Sequence, residues 1–132
     1  MRPTSRPSSP YSISEILDRV HQHFVVEQNP RCTNSGGLCI YGSTGCAVGC
    51  LFTQADADLI DRLFENPTIR SLMADRSNPH ITNLLPHYFS PSPETLTVLT
   101  QLQWTHDSRG ESEPLPNRMD QIITKLRSTY VR

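Results

Sequence analysis

The sequence predicts an α+β fold that is mostly α, in which several short helices pack around one small β-hairpin. Two observations lead to this fold class. Apolar residues recur at helical spacing in most of the chain that follows Ser12. The exception is one stretch rich in glycine and cysteine, which contains two short runs of strand-like composition at 38–41 and 46–48.

The chain has 132 residues, a length typical of a single domain. Residues 1–11 are rich in proline and serine and have no apolar periodicity, so we expect them to be a disordered tail. The remaining residues, 12–132, are predicted to form one helical domain. Within it, the polar and proline-containing segment 107–116 is expected to be an exposed loop.

The first helix is predicted over 13–28. Ser12 and Glu15 have the spacing of a capping box, in which each side chain accepts a hydrogen bond from the other residue's backbone. The apolar residues that follow share one helical face, and Asn29-Pro30 ends the helix.

The segment 31–52 contains all four cysteines and five of the six glycines. The residues at 42–45, Gly-Ser-Thr-Gly, are typical of the turn that joins two antiparallel strands. We therefore expect a hairpin at about 38–50. An isolated hairpin is marginally stable in water, so helices must cover its apolar face.

Start signals for further helices recur after this segment. Thr53 and Asp56 are suited to cap a helix over 54–65. Three capping residues stand directly before a proline and predict helices near 67–75, 79–85 and 93–106: Asn66, Asn78 and Ser92. Asn117 is predicted to cap a closing helix.

Charge and hydropathy exclude several classes of protein. Twelve Lys and Arg residues balance thirteen Asp and Glu residues, for a formal net charge of -1. Nucleic-acid binding depends on concentrated positive charge, so this balance predicts no nucleic-acid partner. The sequence has no apolar run of transmembrane length and no signal-peptide pattern at its start, so we expect no membrane partner and a cytoplasmic location.

The cysteine spacing leaves its chemistry open. Cys39 and Cys46 are separated by six residues, whereas structural zinc sites usually contain a knuckle of two cysteines separated by two to four. The register of the hairpin decides whether the two thiols come close enough for a disulfide or for shared zinc. Small buried cysteines also pack as ordinary apolar residues, so a purely structural role is equally compatible with the sequence.

His106 and Asp107 provide a second candidate group. A thiolate close to this pair would complete a Cys-His-Asp set, in which histidine activates the thiol and the carboxylate orients the histidine. The simpler interpretation, which we favour, is a histidine placed favourably at the negative end of a helix dipole.

These residues belong to a pattern that resembles a group of short bacterial and phage hypothetical proteins. That group carries a C-x-Y…CA[VI]G-x-L motif and a downstream LQxxHD motif. The matching residues here are Cys39-x-Tyr41, Gly45-Cys46-Ala47-Val48-Gly49-x-Leu51 and Leu102-Gln103-x-x-His106-Asp107. The resemblance implies that Cys39, Cys46, His106 and Asp107 act as a unit, and it assigns no activity. Cys32 and Cys50 are then left as packing residues.

Three functions remain open from the sequence. The favoured one is a small interaction or regulatory module that binds another protein, since motifs for phosphate binding, zinc-dependent proteolysis and the nucleophile elbow are all missing from the sequence. The aromatic segment 86–91 is either its binding edge or a plug in the core. The alternatives are a thiol-dependent enzyme that uses Cys39 or Cys46 with His106 and Asp107, and a module stabilised by zinc on Cys39, Cys46 and His106.

Overall fold

Six α-helices form the part of the chain that the structure, a computed structural model, describes: residues 3–28, 47–64, 68–107 and 113–131. In chain order they are α1 (Ile13–His21), α2 (Gln54–Leu63), α3 (Ile69–Ala74), α4 (Pro79–Leu84), α5 (Pro93–Asp107) and α6 (Leu115–Tyr130). A π-helical turn, Gln22–Val26, extends α1. Short 3-10 turns, Gly49–Leu51 and Leu85–His87, precede α2 and follow α4.

The prediction of a β-hairpin in an α+β fold is wrong. Ala47 and Val48, expected in its second strand, form a turn that leads into the 3-10 turn Gly49–Leu51. A strand would direct successive side chains to opposite faces, whereas Ala47, Val48, Leu51 and Phe52 are all fully buried. The rest of the predicted hairpin, 38–46, lies outside the described residues. Among those described, β-type pairing is limited to an isolated parallel bridge between Tyr11 and Phe89.

Two predicted helix starts are confirmed together with their hydrogen bonds. Ser12 Oγ accepts from the backbone N of Glu15 at 3.1 Å, and Glu15 Oε1 accepts from the backbone N of Ser12 at 3.0 Å. Thr53 Oγ1 accepts from the backbone N of Asp56 at 3.2 Å. The starts of α4 after Asn78 and of α5 after Ser92 are also confirmed.

Two other predicted starts are wrong. The capping residue of α3 is Thr68, which forms a reciprocal box with Ser71, and not Asn66. The closing helix begins at Leu115, after Pro114, and not after Asn117. Because α5 includes Asp107 and α6 starts at Leu115, the loop expected at 107–116 is shorter at both ends, and 108–112 lie outside the described residues.

The core lies where α6 packs against both α5 and α1, and α3 packs against α5. Its largest fully buried side chains include Phe24, Phe52, Tyr88, Ile16, Leu17, Leu51 and Ile60. Two polar contacts join α1 to α6 at the surface: Arg127 donates to Asp18, and His21 Nε2 lies 3.5 Å from Asp120 Oδ1. None of the described helices is long and apolar enough to cross a membrane.

The segment predicted as a tail contacts the helical body at two of its described residues, Arg6 and Tyr11. Tyr11 is buried, its backbone N donates to Tyr88 O at 2.8 Å, and the guanidinium of Arg19 lies 5.0 Å from the centre of its ring. Arg6 forms an ion pair with Asp56. Contacts with the body thus reach upstream to Arg6, before the start predicted at Ser12, because a buried carboxylate on the body provides a partner for this arginine.

Candidate functional site

The structure describes part of the predicted cysteine and histidine site. Cys39 and Cys46 lie outside the described residues, and Asp107 is the last residue of α5, with a side chain that also lies outside them. His106 is fully buried, and its ring centre lies 5.4 Å from that of Phe24. In the described ranges no group of three or more His, Cys, Asp or Glu residues could hold a metal ion. The thiol and zinc hypotheses therefore stay predictions.

The position of His106 follows from the helical period of α5. Buried residues on α5 recur at Thr95, Val98, Leu99, Leu102 and His106, which form one face. The histidine thus lies at the end of the helix, as predicted, but also inside the core. Cys50 is buried as well, and its Sγ lies 3.5 Å from the carbonyl oxygen of Ala47.

Within the aromatic segment 86–91, the two aromatic residues form a plug in the core, whereas Pro86, His87 and Pro91 are exposed, so a binding edge there stays a prediction. Tyr88 and Phe89 are buried. Both rings pack edge-to-face against Phe52, with centre separations of 4.7 Å and 5.6 Å.

In contrast to the buried rings of Tyr88 and Phe89, Trp104 is mostly exposed, and it is the single tryptophan of the chain. It lies on α5, off the apolar face, and 65% of its surface is exposed. It lines a groove of about 440 Å³ beside α6 and a hollow of about 240 Å³ beside α3. We call the described residues that line these two depressions the Trp104 surface: Thr68, Ile69, Arg70, Thr100, Gln103, Trp104, Thr105, Glu113, Arg118, Gln121, Ile122 and Lys125.

Hydrogen bonds hold the elements around Trp104 in place. Gln103 Oε1 accepts from the backbone N of Ile69 at 2.8 Å, which joins the start of α3 to α5. Arg118 Nη2 donates to the carbonyl oxygen of Thr105 at 3.0 Å, which joins α6 to α5. These two bonds join α3 and α6 to α5 on either side of the indole.

The Trp104 surface is net positive in its described residues. Its cationic side chains are Arg70, Arg118 and Lys125, and its carboxylate is Glu113, which accepts from Gln121 Nε2 at 2.7 Å. This local balance contrasts with the formal net charge of -1 of the whole chain.

A second polar cluster, which we call the Asp56 site, is formed by Asp56, Thr53 and Tyr88. The Asp56 side chain is 10% exposed, and both of its oxygens accept from Arg6, Oδ2 from Nε at 2.8 Å and Oδ1 from Nη2 at 3.0 Å. The Tyr88 hydroxyl donates to Asp56 Oδ2 and accepts from the backbone N of Thr53 at 3.2 Å.

These contacts perturb the acidity of all three ionisable groups at the Asp56 site. The hydrogen bond from Arg6 lowers the pKa of Asp56, and the bond from Tyr88 acts in the same direction against the effect of burial. The same bond to Asp56 raises the pKa of Arg6. Burial, followed by the bond to Asp56, raises the pKa of Tyr88. The site thus holds a carboxylate and a guanidinium in their charged forms.

Sequence reasoning did not identify either of these sites. Trp104 carries a usable signal, since a lone tryptophan two residues from Leu102 falls off the apolar face of α5. Asp56 was identified as a capping partner of Thr53, which it is, but nothing local in the sequence connects it to Arg6.

No family model matches the chain, and no curated protein or solved structure matches it either.

Proposed function

We propose that the protein is a small interaction module that binds another protein through the Trp104 surface. The observation that carries the proposal is the exposure of the indole, with 65% of the residue's surface open to solvent between two depressions. Tryptophan is enriched in the cores of protein interfaces and among the residues that contribute most to binding.

Covering this indole would stabilise a complex appreciably. A buried tryptophan removes about 150–250 Å² from water, so covering the exposed majority removes about 100 Å² or more. At about 25 cal/mol per Å² this burial is worth about 2.5 kcal/mol. The two hydrogen bonds that join α3 and α6 to α5 lower the ordering cost of binding.

The charge of the surface favours an acidic partner. Arg70 lies on the α3 side of the indole, and Arg118 and Lys125 lie on the α6 side. A segment that places an apolar side chain against Trp104 and carboxylates on either side would complement this arrangement. We therefore infer that the partner presents an acidic segment with an apolar anchor.

The test compares two substitutions of exposed apolar residues. Proteins bound by the wild-type chain in an extract of its source organism are identified and purified, and the affinity of each is measured for wild type, Trp104→Ala and Val26→Ala. Val26 is the matched control, because it is 57% exposed and lies on the π-helical turn after α1, outside the Trp104 surface.

We expect Trp104→Ala to weaken binding at least about 30-fold, in the range of an interface hot spot, and Val26→Ala to change it less than about twofold. The binding should also weaken as salt concentration rises, because exposed charges are screened. A partner that binds Trp104→Ala as tightly as wild type would contradict the proposal, and so would failure to recover any protein reproducibly.

A further inference from the structure

The Asp56 site is built by the helical body, whereas the cation it holds comes from the N-terminal segment. Asp56 and Thr53 lie at the start of α2, and Tyr88 follows the 3-10 turn after α4. Arg6 lies 50 residues from Asp56 in sequence. The body therefore presents a carboxylate and a hydroxyl in fixed positions, and the segment 3–11 delivers the guanidinium to them.

We propose that the Asp56 site is a binding site for arginine side chains, which Arg6 fills from within the chain and which an arginine of another protein enters when the N-terminal segment is displaced. The proposal concerns a different part of the molecule from the Trp104 surface. Its success or failure is therefore independent of the proposed function.

The geometry of the site is specific for guanidinium. The two oxygens of Asp56 each accept one N–H from the fork of Arg6, at 2.8 Å and 3.0 Å. Paired bonds of this kind match the planar guanidinium, whereas the ammonium of lysine is a single point charge. The Tyr88 hydroxyl occupies a further acceptor position on Asp56 Oδ2 and so helps to fix the plane of the carboxylate.

The carboxylate requires a cation more than the arginine requires its anion. The Asp56 side chain is 10% exposed and the Arg6 side chain is 44% exposed. A buried carboxylate that loses its cation keeps the full cost of its removal from water, whereas a released arginine returns to solvent. An empty site therefore favours the entry of another cation of the same shape.

The resident arginine is held by a short tether. Tyr11 is anchored by its bond to Tyr88 O and by its hydroxyl, which donates to Leu51 O at 3.2 Å. Between Arg6 and Tyr11 the residues Ser8, Ser9 and Pro10 are exposed. Such a tether gives Arg6 a local concentration of the order of millimolar, so an outside arginine must compete with that value or bind after the segment is displaced.

The first test is chemical rescue of the full chain carrying Arg6→Ala. The thermal midpoint is measured with increasing methylguanidinium chloride, and with methylammonium chloride at the same concentrations as a control for charge and salt. We expect methylguanidinium to raise the midpoint of Arg6→Ala by about 5 °C at ten times its dissociation constant. Methylammonium should raise it by less than about 1 °C.

Two further proteins serve as controls and test whether methylguanidinium acts at the Asp56 site. Wild type, whose site is filled, and Arg6→Ala combined with Asp56→Asn, whose site lacks the charged acceptor, should both show no rise in midpoint. Equal rescue of the double variant, or no rescue of Arg6→Ala, would overturn the proposal. If Arg6→Ala does not fold, the same titration is made on Arg6→Lys, which keeps a positive charge and loses the fork.

A second test replaces the small ion with a peptide. A synthetic peptide of residues 3–10 is titrated into full-length Arg6→Ala, alongside the same peptide with lysine in place of arginine. We expect the arginine peptide to bind at least about tenfold more tightly than the lysine peptide, and at least about tenfold more tightly to Arg6→Ala than to wild type. Equal affinity for the two peptides would show that charge alone is recognised and would overturn the assignment to arginine.

Discussion

The Asp56 site and the Trp104 surface differ in how far their central side chains are exposed to solvent. At the Asp56 site, a carboxylate that is 10% exposed is bonded by a guanidinium and a hydroxyl from the same chain. At the Trp104 surface, the single tryptophan stands 65% exposed between polar and cationic neighbours. The first side chain is thus mostly buried, and the second is mostly exposed to solvent.

Because of this difference, substitutions in the two regions should affect different properties, the stability of the fold in one and binding in the other. Substitutions at the Asp56 site remove contacts that the folded state already has, so they should lower the free energy of unfolding. Substitution of Trp104 itself removes a side chain that is mostly exposed, so it should affect binding more than stability.

The largest effect is expected for Tyr88→Ala. This substitution removes a fully buried ring that packs against Phe52 and supports Asp56. We expect the free energy of unfolding to fall by about 3–5 kcal/mol in urea denaturation. Tyr88→Phe, which keeps the ring, should cost about 1–2 kcal/mol through loss of the hydroxyl's bonds to Asp56 and to the backbone N of Thr53. Equal losses in the two variants would show that the hydroxyl, not the ring, dominates this region.

A smaller effect that depends on pH is expected for Asp56→Asn. Because the pKa of Asp56 is lowered in the folded state, its stabilising effect is present above the unfolded-state pKa, near pH 4, and is lost as pH falls through the folded-state value. We expect wild type to exceed Asp56→Asn by about 1–2 kcal/mol at pH 6 and the two to converge towards pH 2. The measurement is a series of urea midpoints. A difference that does not depend on pH would contradict the ion pair.

Asp75 provides the control for this experiment. Its pKa is also lowered, by hydrogen bonds from the backbone of Asn78 and Ser77, but it is a partly exposed residue outside the Asp56 site. The variant Asp75→Asn keeps Asp56 and Arg6. It should therefore retain the stabilising effect of Asp56, which is lost at low pH and which Asp56→Asn lacks at every pH.

The smallest change in stability is expected for Trp104→Ala. Because the indole is mostly in solvent, the free energy of unfolding should fall by only about 1 kcal/mol or less in urea denaturation. The same variant is the one that should lose partner binding. A loss of several kcal/mol would mean that Trp104 supports the fold and would remove the contrast between the two regions.

Features that lie within a few residues of one another were predictable from the sequence. Ser12 and Glu15, like Thr53 and Asp56, occur in one helical turn, so a single window contains both partners of each cap. Asn66-Pro67 has the composition of a helix start, yet Thr68 and Ser71 form the box that the chain uses. Local patterns thus predict the existence of a helix more reliably than they predict its first residue.

Features that depend on distant contacts were not predictable. The run from Ala47 to Phe52 has apolar residues typical of a strand. In the structure these residues are buried in the core and form turns instead of a strand. The Asp56 site joins residues 50 positions apart, one of them in a segment without periodicity. Burial and ion pairing between such positions are determined by packing, which no local window contains.

The packing of α1 against α6 has a consequence for how the protein folds. Arg127 and Asp18, which join these helices, are 109 residues apart, so the contact closes nearly the whole chain into one loop. The entropy of that closure must be overcome before the apolar face of α1 is covered, and such non-local pairing slows folding relative to helical proteins with neighbouring contacts. During synthesis, α1 therefore leaves the ribosome well before α6, and the contact between the two helices forms only after α6 has been made.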